Sequence, residues 1–143
     1  MLCDQYSEGA VMTVTAVVRS IALAAAAFAP AAQAATPAEI LAGYSAQANS
    51  AAAPSRGQQL FNARHGSEWS CASCHGAVPA QGGKHAATGK PIEALAPAAN
   101  PARFTDAAKV EKWFRRNCND VLGRECTPAE KADVLAWLLT VKP

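Results

Sequence analysis

Several residue types and patterns are scarce in this 143-residue sequence, and each absence narrows what the chain can be. Its only two methionines are Met1 and Met12, so a site in the rest of the chain has no thioether ligand. The formal net charge is only +2, which gives no reason to expect nucleic acid as a partner. The one long apolar run, Ile21 to Ala32, is shorter than the roughly 20 residues that a membrane-spanning helix needs.

The first 34 residues have the features of a secretory signal peptide. Arg19 precedes the Ala-rich apolar run, and Ala32-Gln33-Ala34 forms an A-x-A cleavage site after it. An uncleaved anchor or a buried helix is the alternative. The two acids before Met12 lie where such a peptide is usually positive, so Met12 is an alternative start. We predict a signal peptide over residues 1–34 and a periplasmic mature protein.

The five cysteines fall into three groups. Cys3 lies in the predicted signal peptide, Cys71 and Cys74 share one motif, and Cys118 and Cys126 remain. An even pair in an exported chain predicts a disulfide, with two buried free thiols as the alternative. In the chain-entropy model, closing so short a loop stabilises the fold by about 2.6 kcal/mol.

Two capping boxes predict where the first and last helices begin. Thr36-Pro37-Ala38-Glu39 and Thr127-Pro128-Ala129-Glu130 each combine an N-cap Thr, a Pro at the first helical position and a Glu at the third. In the last helix, Trp137 is expected to pack against Gly57 and Phe61 of an earlier helix, because apolar residues recur there at helical spacing.

Apolar spacing also predicts two helices in between, over residues 56–64 and from Thr105 or Asp106 to about Asn117. Residues 76–100 carry repeated Gly and Pro and no strand pattern. This predicts a long loop, and so long a loop is uncommon unless it serves a function, such as wrapping a cofactor.

We therefore predict an all-α chain of helices and loops. An N-terminal helix and an Ala-rich linker occupy residues 35–54, and one small domain occupies residues 55–143. A mature chain of this size hides about two-thirds of its unfolded surface, so its own core is modest.

The motif Cys71-Ala72-Ser73-Cys74-His75 is C-x-x-C-H, the attachment signature of c-type haem. Two thiols on one turn can form thioethers with the two vinyl groups of one haem, and the next His can bind the iron. A thioredoxin-like pair would need a βαβ context, and a zinc site recruiting Cys118 and Cys126 would leave His75 unexplained. We predict one covalent haem c, attached through Cys71 and Cys74, with His75 as the proximal iron ligand.

The distal iron ligand is less obvious, because the mature chain has no Met. His65 lies too close to Cys71 to reach the opposite haem face, and His85 lies in a Gly-rich stretch typical of a solvated loop. Asn117 follows Trp113 by four positions on a predicted apolar helical face, where a polar amide needs a partner. The distal side therefore holds either a weak ligand, for which Asn117 is the candidate, or none, and a helix-ending Asn is the alternative for Asn117.

Four further residues are candidates for contacts with the haem. Trp113 and Phe114 are predicted to pack near it, with ordinary core packing as the alternative. Lys90 and Arg103 are candidates to pair with its propionates, with solvated charge as the alternative.

Several segments resemble a known family. Gly57-x-x-Leu60-Phe61 ahead of C-x-x-C-H, with an amphipathic C-terminal helix, resembles class I cytochromes c. The sphaeroides haem protein and its relatives are a closer match, through PAEILAGY at residues 37–44 and LAP at residues 95–97. The long stretch RFTDAAKVEKWFRRNCNDVLGRECTPAEKADVLAWL at residues 103–138 resembles them as well. Residues 62–70 follow no shared pattern.

The resemblance implies a small class I cytochrome c fold and a function. Its axial Asn corresponds to Asn117, a weak ligand that leaves the iron on reduction or gas binding, and its disulfide corresponds to Cys118 and Cys126. Relatives bind oxygen or nitric oxide and exchange electrons with a dihaem cytochrome c and a membrane cytochrome b. We therefore expect a monomeric electron-transfer and gas-binding protein without catalytic residues. A simple carrier with a tight sixth ligand, and an enzyme consuming oxygen, nitric oxide or peroxide, are the alternatives.

Overall fold

A computed structural model describes residues 34–66 and 68–143, and the predicted signal peptide, apart from Ala34, lies outside these residues. The elements in chain order are α1 (Pro37–Ala48), α2 (Pro54–Asn62), α3 (Cys71–His75), β1 (Gly83–Lys84), β2 (Pro91–Ile92), α4 (Ala107–Leu122) and α5 (Pro128–Thr140). The predicted all-α class is confirmed. In the described part of the chain, no helix is long and apolar enough to cross a membrane.

Side chains cap the helices largely where the sequence predicts them. At the start of α1, the Thr36 hydroxyl accepts a hydrogen bond from the Glu39 amide, and the Glu39 carboxylate accepts one from the Thr36 amide. Thr127 begins α5 in the same way. Asp106, not Thr105, caps α4, with its carboxylate accepting from the Lys109 amide at 2.9 Å. These bonds satisfy amides that a helix start leaves without intrahelical partners.

Three predicted boundaries are wrong. The helix predicted over residues 56–64 is shifted, because α2 spans Pro54–Asn62, and the Ala-rich linker between α1 and α2 is only residues 49–53. Residues 76–100 are not strandless, because β1 and β2 pair antiparallel with Gly83 opposite Ile92. So short a pairing leaves no period in the sequence to detect. α4 passes Asn117 and ends at Leu122, and the φ of 68° at the following Gly123 suits a residue without a side chain. Asn117 therefore does not end the helix.

The main core forms where α2 crosses α5. A Cβ on Gly57 would overlap the Asp133 carbonyl and would lie 2.7 Å from the Val134 amide nitrogen, so only Gly allows this approach. One turn later, the Phe61 and Trp137 rings pack with centroids 4.9 Å apart, as predicted.

Two buried charges hold the helices around this crossing. The Asp133 carboxylate, on α5, accepts hydrogen bonds from Arg56 Nε at 2.7 Å and from the Ala53 amide at 2.6 Å, so it caps the start of α2. The Lys131 ammonium donates to Glu111 at 2.6 Å, and Glu111 also accepts from the Tyr44 hydroxyl. The second group joins α5, α4 and α1.

Candidate functional site

The C-x-x-C-H motif forms a single turn of helix, α3. The buried Ser70 precedes it, and the Ser70 amide donates to the Ser73 hydroxyl at 3.0 Å. Both Cys71 and Cys74 are free and half-buried. Burial raises the pKa of the Cys71 thiol to about 11, which keeps it protonated at neutral pH. The helix thus presents two available thiols on one turn, as thioether attachment requires.

His75, the last residue of α3, is the group best suited to bind a metal. Its Nδ1 is buried and has no hydrogen-bond partner among the described residues. Burial, assisted by the positive charge of Arg103, lowers the pKa of the imidazole to about 4. The ring is therefore neutral near pH 7 and keeps a lone pair for an iron. A lone buried ring nitrogen beside two free thiols fits a covalent haem.

An apolar surface surrounds this turn. Partly buried side chains pack against the core that contains Phe61 and Trp137: Leu60, Cys71, Ala72, Ala80, Leu95, Phe104 and Phe114. Half-exposed apolar side chains of this kind suit the face of a large macrocycle, whose burial would remove them from water. Within the described residues, no cluster of three or more His, Cys, Asp or Glu could hold a bare metal ion.

The other two histidines bond locally. The His65 Nε2 lies 2.9 Å from the Leu60 carbonyl oxygen. The His85 Nδ1 accepts a hydrogen bond from the Thr88 amide at 3.3 Å, and the His85 amide donates to the Lys90 carbonyl at 2.8 Å. Each ring thus has one nitrogen engaged close to its own segment, and the prediction that neither ring binds the iron stays a prediction.

Asn117 lies inside α4, on the same side as Val110 and Phe114, and is half-buried. Within the described residues its amide makes no side-chain hydrogen bond. Asn119 differs, since it is exposed and donates to the Arg115 carbonyl at 2.8 Å. A half-buried amide without a partner is available to a ligand or an iron, whereas Asn119 is engaged.

The aromatic candidates on α4 divide. Phe114 packs edge-on against Tyr44, with ring centroids 5.8 Å apart. It packs both against the core of Phe61 and Trp137 and against a second buried cluster that contains Tyr44 and Leu135. Trp113 is 44% exposed and lies under the Arg116 guanidinium at 5.6 Å, so the prediction that it joins the apolar face of α4 is wrong. On a helical wheel with about 100° per residue, Trp113 lies about 40° from Asn117, at the border of that face. Helical spacing alone does not decide whether a side chain at the border is buried. Haem contacts of both residues stay predictions.

The two propionate candidates also differ in position. Lys90 is exposed, at the end of the hairpin turn. Arg103 donates instead to backbone, from Nε to the Ala94 carbonyl at 3.0 Å and from Nη2 to the Glu93 carbonyl at 3.2 Å. The propionate roles of Lys90 and Arg103 stay predictions.

The sulfur atoms of Cys118 and Cys126 lie at the distance of a disulfide, with the two Cα atoms 5.5 Å apart, so the geometry suits the predicted bond. A zinc site that recruits these two residues would need both as free thiolates, which a bonded pair does not provide. The bond ties the end of α4, next to Asn117, to the start of α5.

Two contacts at the site were not predicted from the sequence. The Ala86 amide donates to the Cys74 sulfur at 3.2 Å. Gly83 lies so close to α3 that a Cβ would lie 3.1 Å from the His75 Cα. Both contacts depend on the hairpin, and the only sequence signal for it is the pair Gly82-Gly83.

Comparison with known proteins shows the family of this chain. Residues 47–138 match a family described as a domain of unknown function (DUF1924). Over 107 residues the chain is 52% identical to cytochrome c-type protein SHP of Cereibacter sphaeroides. The aligned region covers 72% of this chain and 82% of that protein. The chain belongs to the SHP family of c-type cytochromes. It is therefore a monohaem cytochrome with covalently attached haem c.

Solved structures of relatives share the fold. Oxidised SHP, described as an oxygen-binding cytochrome c, matches with a TM-score of 0.70 and 51% identity over 73% of this chain and 96% of that one. Oxidised cytochrome c'' from Methylophilus methylotrophus matches with a TM-score of 0.68 and 40% identity, over 75% and 95% of the two chains. In sequence, that cytochrome c'' is 52% identical over 80 residues, 56% of each chain. The predicted cytochrome fold is thereby confirmed.

Proposed function

We propose that this cytochrome is periplasmic and couples electron transfer to the binding of a diatomic gas. Cys71 and Cys74 hold the haem through thioethers, His75 is the proximal iron ligand, and Asn117 is a weak distal ligand that yields to oxygen or nitric oxide. The observation that carries the proposal is the half-buried amide of Asn117, which has no side-chain hydrogen bond in the described part of the chain.

Each residue contributes a separate property. When bound, the haem supplies a one-electron couple and an iron that can take a diatomic ligand. His75 stays neutral because its surroundings hold the pKa near 4. The Asn117 amide oxygen is a neutral, hard donor that favours ferric over ferrous iron. Reduction therefore weakens its hold, and differential affinity of this kind is sufficient to couple redox state to gas binding.

Three observations support the remaining parts. A relative with 51% identity is described as an oxygen-binding cytochrome c. The A-x-A site at Ala32 to Ala34 supports export. The resemblance to SHP supports a dihaem cytochrome c and a membrane cytochrome b as electron donors. A simple carrier would instead need a tight sixth ligand, from His85 or a lysine, and the His85 Nδ1 already accepts a hydrogen bond from the Thr88 amide.

The test is the optical spectrum of the haem-loaded protein with ferrous iron, before and after carbon monoxide is added. We expect a high-spin spectrum that shifts with the gas, because a released Asn117 leaves the iron accessible. A low-spin ferrous spectrum that ignores carbon monoxide would contradict the proposal and favour a simple carrier.

A matched pair of variants tests the ligand itself. Asn117→Ala should change the ferric spectrum to that of an open or water-bound iron. Asn119→Ala removes the same side chain two positions away, where it is exposed, and should leave the spectrum unchanged. Equal ferric spectra for Asn117→Ala and the wild type would exclude Asn117 as the ligand.

A further inference from the structure

Three side chains from three helices form one polar group near the start of α4. The Lys131 ammonium of α5 donates to Glu111 Oε1 at 2.6 Å, and the Tyr44 hydroxyl of α1 donates to Glu111 Oε2 at 2.9 Å. Each oxygen of the carboxylate is thus engaged by a different helix. We call Tyr44, Glu111 and Lys131 the α4 clamp, because they join α4 to two helices that pack against each other.

The cation of the clamp is buried. Only 9% of the Lys131 side chain is exposed, and its ammonium lies 5.5 Å from the centre of the Tyr44 ring. Tyr44 is buried as well, and its ring packs edge-on against Phe114, one turn after Glu111. A buried ammonium that loses its acceptor is left without compensation, so the pair of Lys131 and Glu111 resists opening.

A second attachment lies two helical turns further along α4. Cys118 follows Glu111 by seven positions, so the two lie about 20° apart around a helix with about 100° per residue. Glu111 and Cys118 therefore share one side of α4, and the geometry of Cys118 suits a disulfide to Cys126, just before α5. Two attachments on the same side fix both the rotation of a helix about its axis and its position along that axis.

Asn117 lies between the two attachments and projects from a different side of α4. It directly precedes Cys118, so about 100° separate the two directions around the helix. Asn117 is half-buried, and its amide makes no side-chain hydrogen bond within the described residues. In that part of the chain, the direction of the amide therefore depends on how α4 itself is held.

A groove between α1 and α4 gives the helix space to move. Its volume is about 470 Å³, and its walls include Gly43 and Gln47 of α1, Ala107 of α4, and both charged residues of the clamp. An α4 released from the clamp can tilt into this groove without displacing packed side chains.

We propose that the α4 clamp positions Asn117 and so sets how firmly its amide competes with an incoming ligand of the iron. The inference rests on the proposed role of Asn117 as the distal ligand. The clamp residues act through the helix, so they are positioning residues. Apparent affinity for an external ligand is reduced to the fraction of molecules whose site is open, and loosening the clamp raises that fraction.

Two variants loosen the clamp to different degrees. Lys131→Met removes the ion pair but keeps an unbranched side chain, and Glu111 is 45% exposed, so water can solvate the carboxylate that is left. Tyr44→Phe removes one hydroxyl. Arg124→Gln is the matched control, because it breaks an ion pair of 2.7 Å with Glu130 and removes one positive charge outside the segment between the two attachments.

The first readout is the dissociation constant of cyanide for the ferric haem-loaded proteins. We expect Lys131→Met to bind cyanide about threefold to thirtyfold more tightly than the wild type, the range for mutations that alter coupling without touching the ligands. Tyr44→Phe should change in the same direction by less, and Arg124→Gln should bind cyanide as the wild type does. Equal tightening in Lys131→Met and Arg124→Gln would overturn the inference, because the lost charge alone would explain it.

The same substitution in the Asn117→Ala protein shows whether the clamp acts through Asn117. We expect Lys131→Met to have no further effect on cyanide binding there, because no amide is left to position. Residues that act through one another are not additive, so this double-mutant cycle isolates the path. An equal effect of Lys131→Met with and without Asn117 would overturn the inference.

Hydrogen exchange separates this inference from the proposed function. The amides of residues 114–118 should exchange faster in Lys131→Met than in Arg124→Gln, because that part of α4 is released. Unchanged exchange would overturn the clamp, whatever the iron ligand is. If Asn117→Ala left the ferric spectrum unchanged, the proposed role of Asn117 would fail, and faster exchange would still show that the clamp holds α4.

Discussion

Two helical glycines should respond to the same substitution with opposite signs. Gly57 of α2 and Gly43 of α1 both lie inside helices, where Ala is intrinsically favoured by about 1 kcal/mol. A Cβ on Gly43 would meet no atom within 4 Å. We therefore expect Gly43→Ala to raise the free energy of unfolding by about 0.5–1 kcal/mol.

Gly57→Ala should destabilise the same protein. Its Cβ would come closer than 3.0 Å to three backbone atoms of Asp133 and Val134, none of which can rotate away. Overpacking typically costs about 1–3 kcal/mol, and a clash with rigid backbone belongs at the upper end. After the gain in helix propensity is subtracted, a net loss of about 2 kcal/mol remains.

Urea unfolding of the haem-loaded variants, followed in the far ultraviolet, measures both effects. The slope against urea should stay constant, so that the midpoints report stability. Because Gly57 sets the approach of Phe61 to Trp137, the Soret band of Gly57→Ala should also change, and that of Gly43→Ala should not. If Gly57→Ala unfolded at the midpoint of Gly43→Ala, the close crossing of α2 and α5 would be refuted.

Three further perturbations test other parts of the fold. Replacing Cys118 and Cys126 by Ser should lower the free energy of unfolding by about 2.6 kcal/mol, because the loop is no longer closed. Chemical reduction of the disulfide in the wild type should lower it at least as much. Arg124 lowers the pKa of the Glu130 carboxyl from 4.5 to about 2. The ionised Glu130 therefore stabilises the folded protein fully above pH 4.5, and this contribution is lost as the pH falls toward 2. Thermal midpoints of Glu130→Gln should therefore fall less steeply over that range, and parallel curves would contradict this. Asp133→Ala should lower the free energy of unfolding in urea by about 3 kcal/mol, because the hydrogen-bond donors around the buried carboxylate lose their acceptor. Asp133→Asn should lower it less.

The haem attachment turn could be predicted because its chemistry is local. Cys71, Cys74 and His75 are contiguous, so one turn of helix brings them together whatever the rest of the chain does. The capping boxes at Thr36 and Thr127 were predictable for the same reason, since their partners lie three residues away.

Long-range contacts escaped prediction. The burial of Asp133 follows from its bonds to Arg56 and Ala53, which lie 77 and 80 residues away. The hairpin pairs two strands of two residues each, too few for a period. Arg103 looked like one of several solvated cations, because its carbonyl partners lie in a loop that carries no pattern.

By itself, the sequence determined the chemistry of attachment and the restriction on the distal ligand, since C-x-x-C-H is contiguous and no Met follows Met12. Only the tertiary structure decided which polar groups are left without partners. It left the ring nitrogen of His75 and the amide of Asn117 unengaged within the described residues, and it turned Arg103 onto the backbone of the loop after β2. The physical reason is that a residue type fixes which bonds a side chain can make, whereas burial and neighbours from distant segments decide which of them it does make.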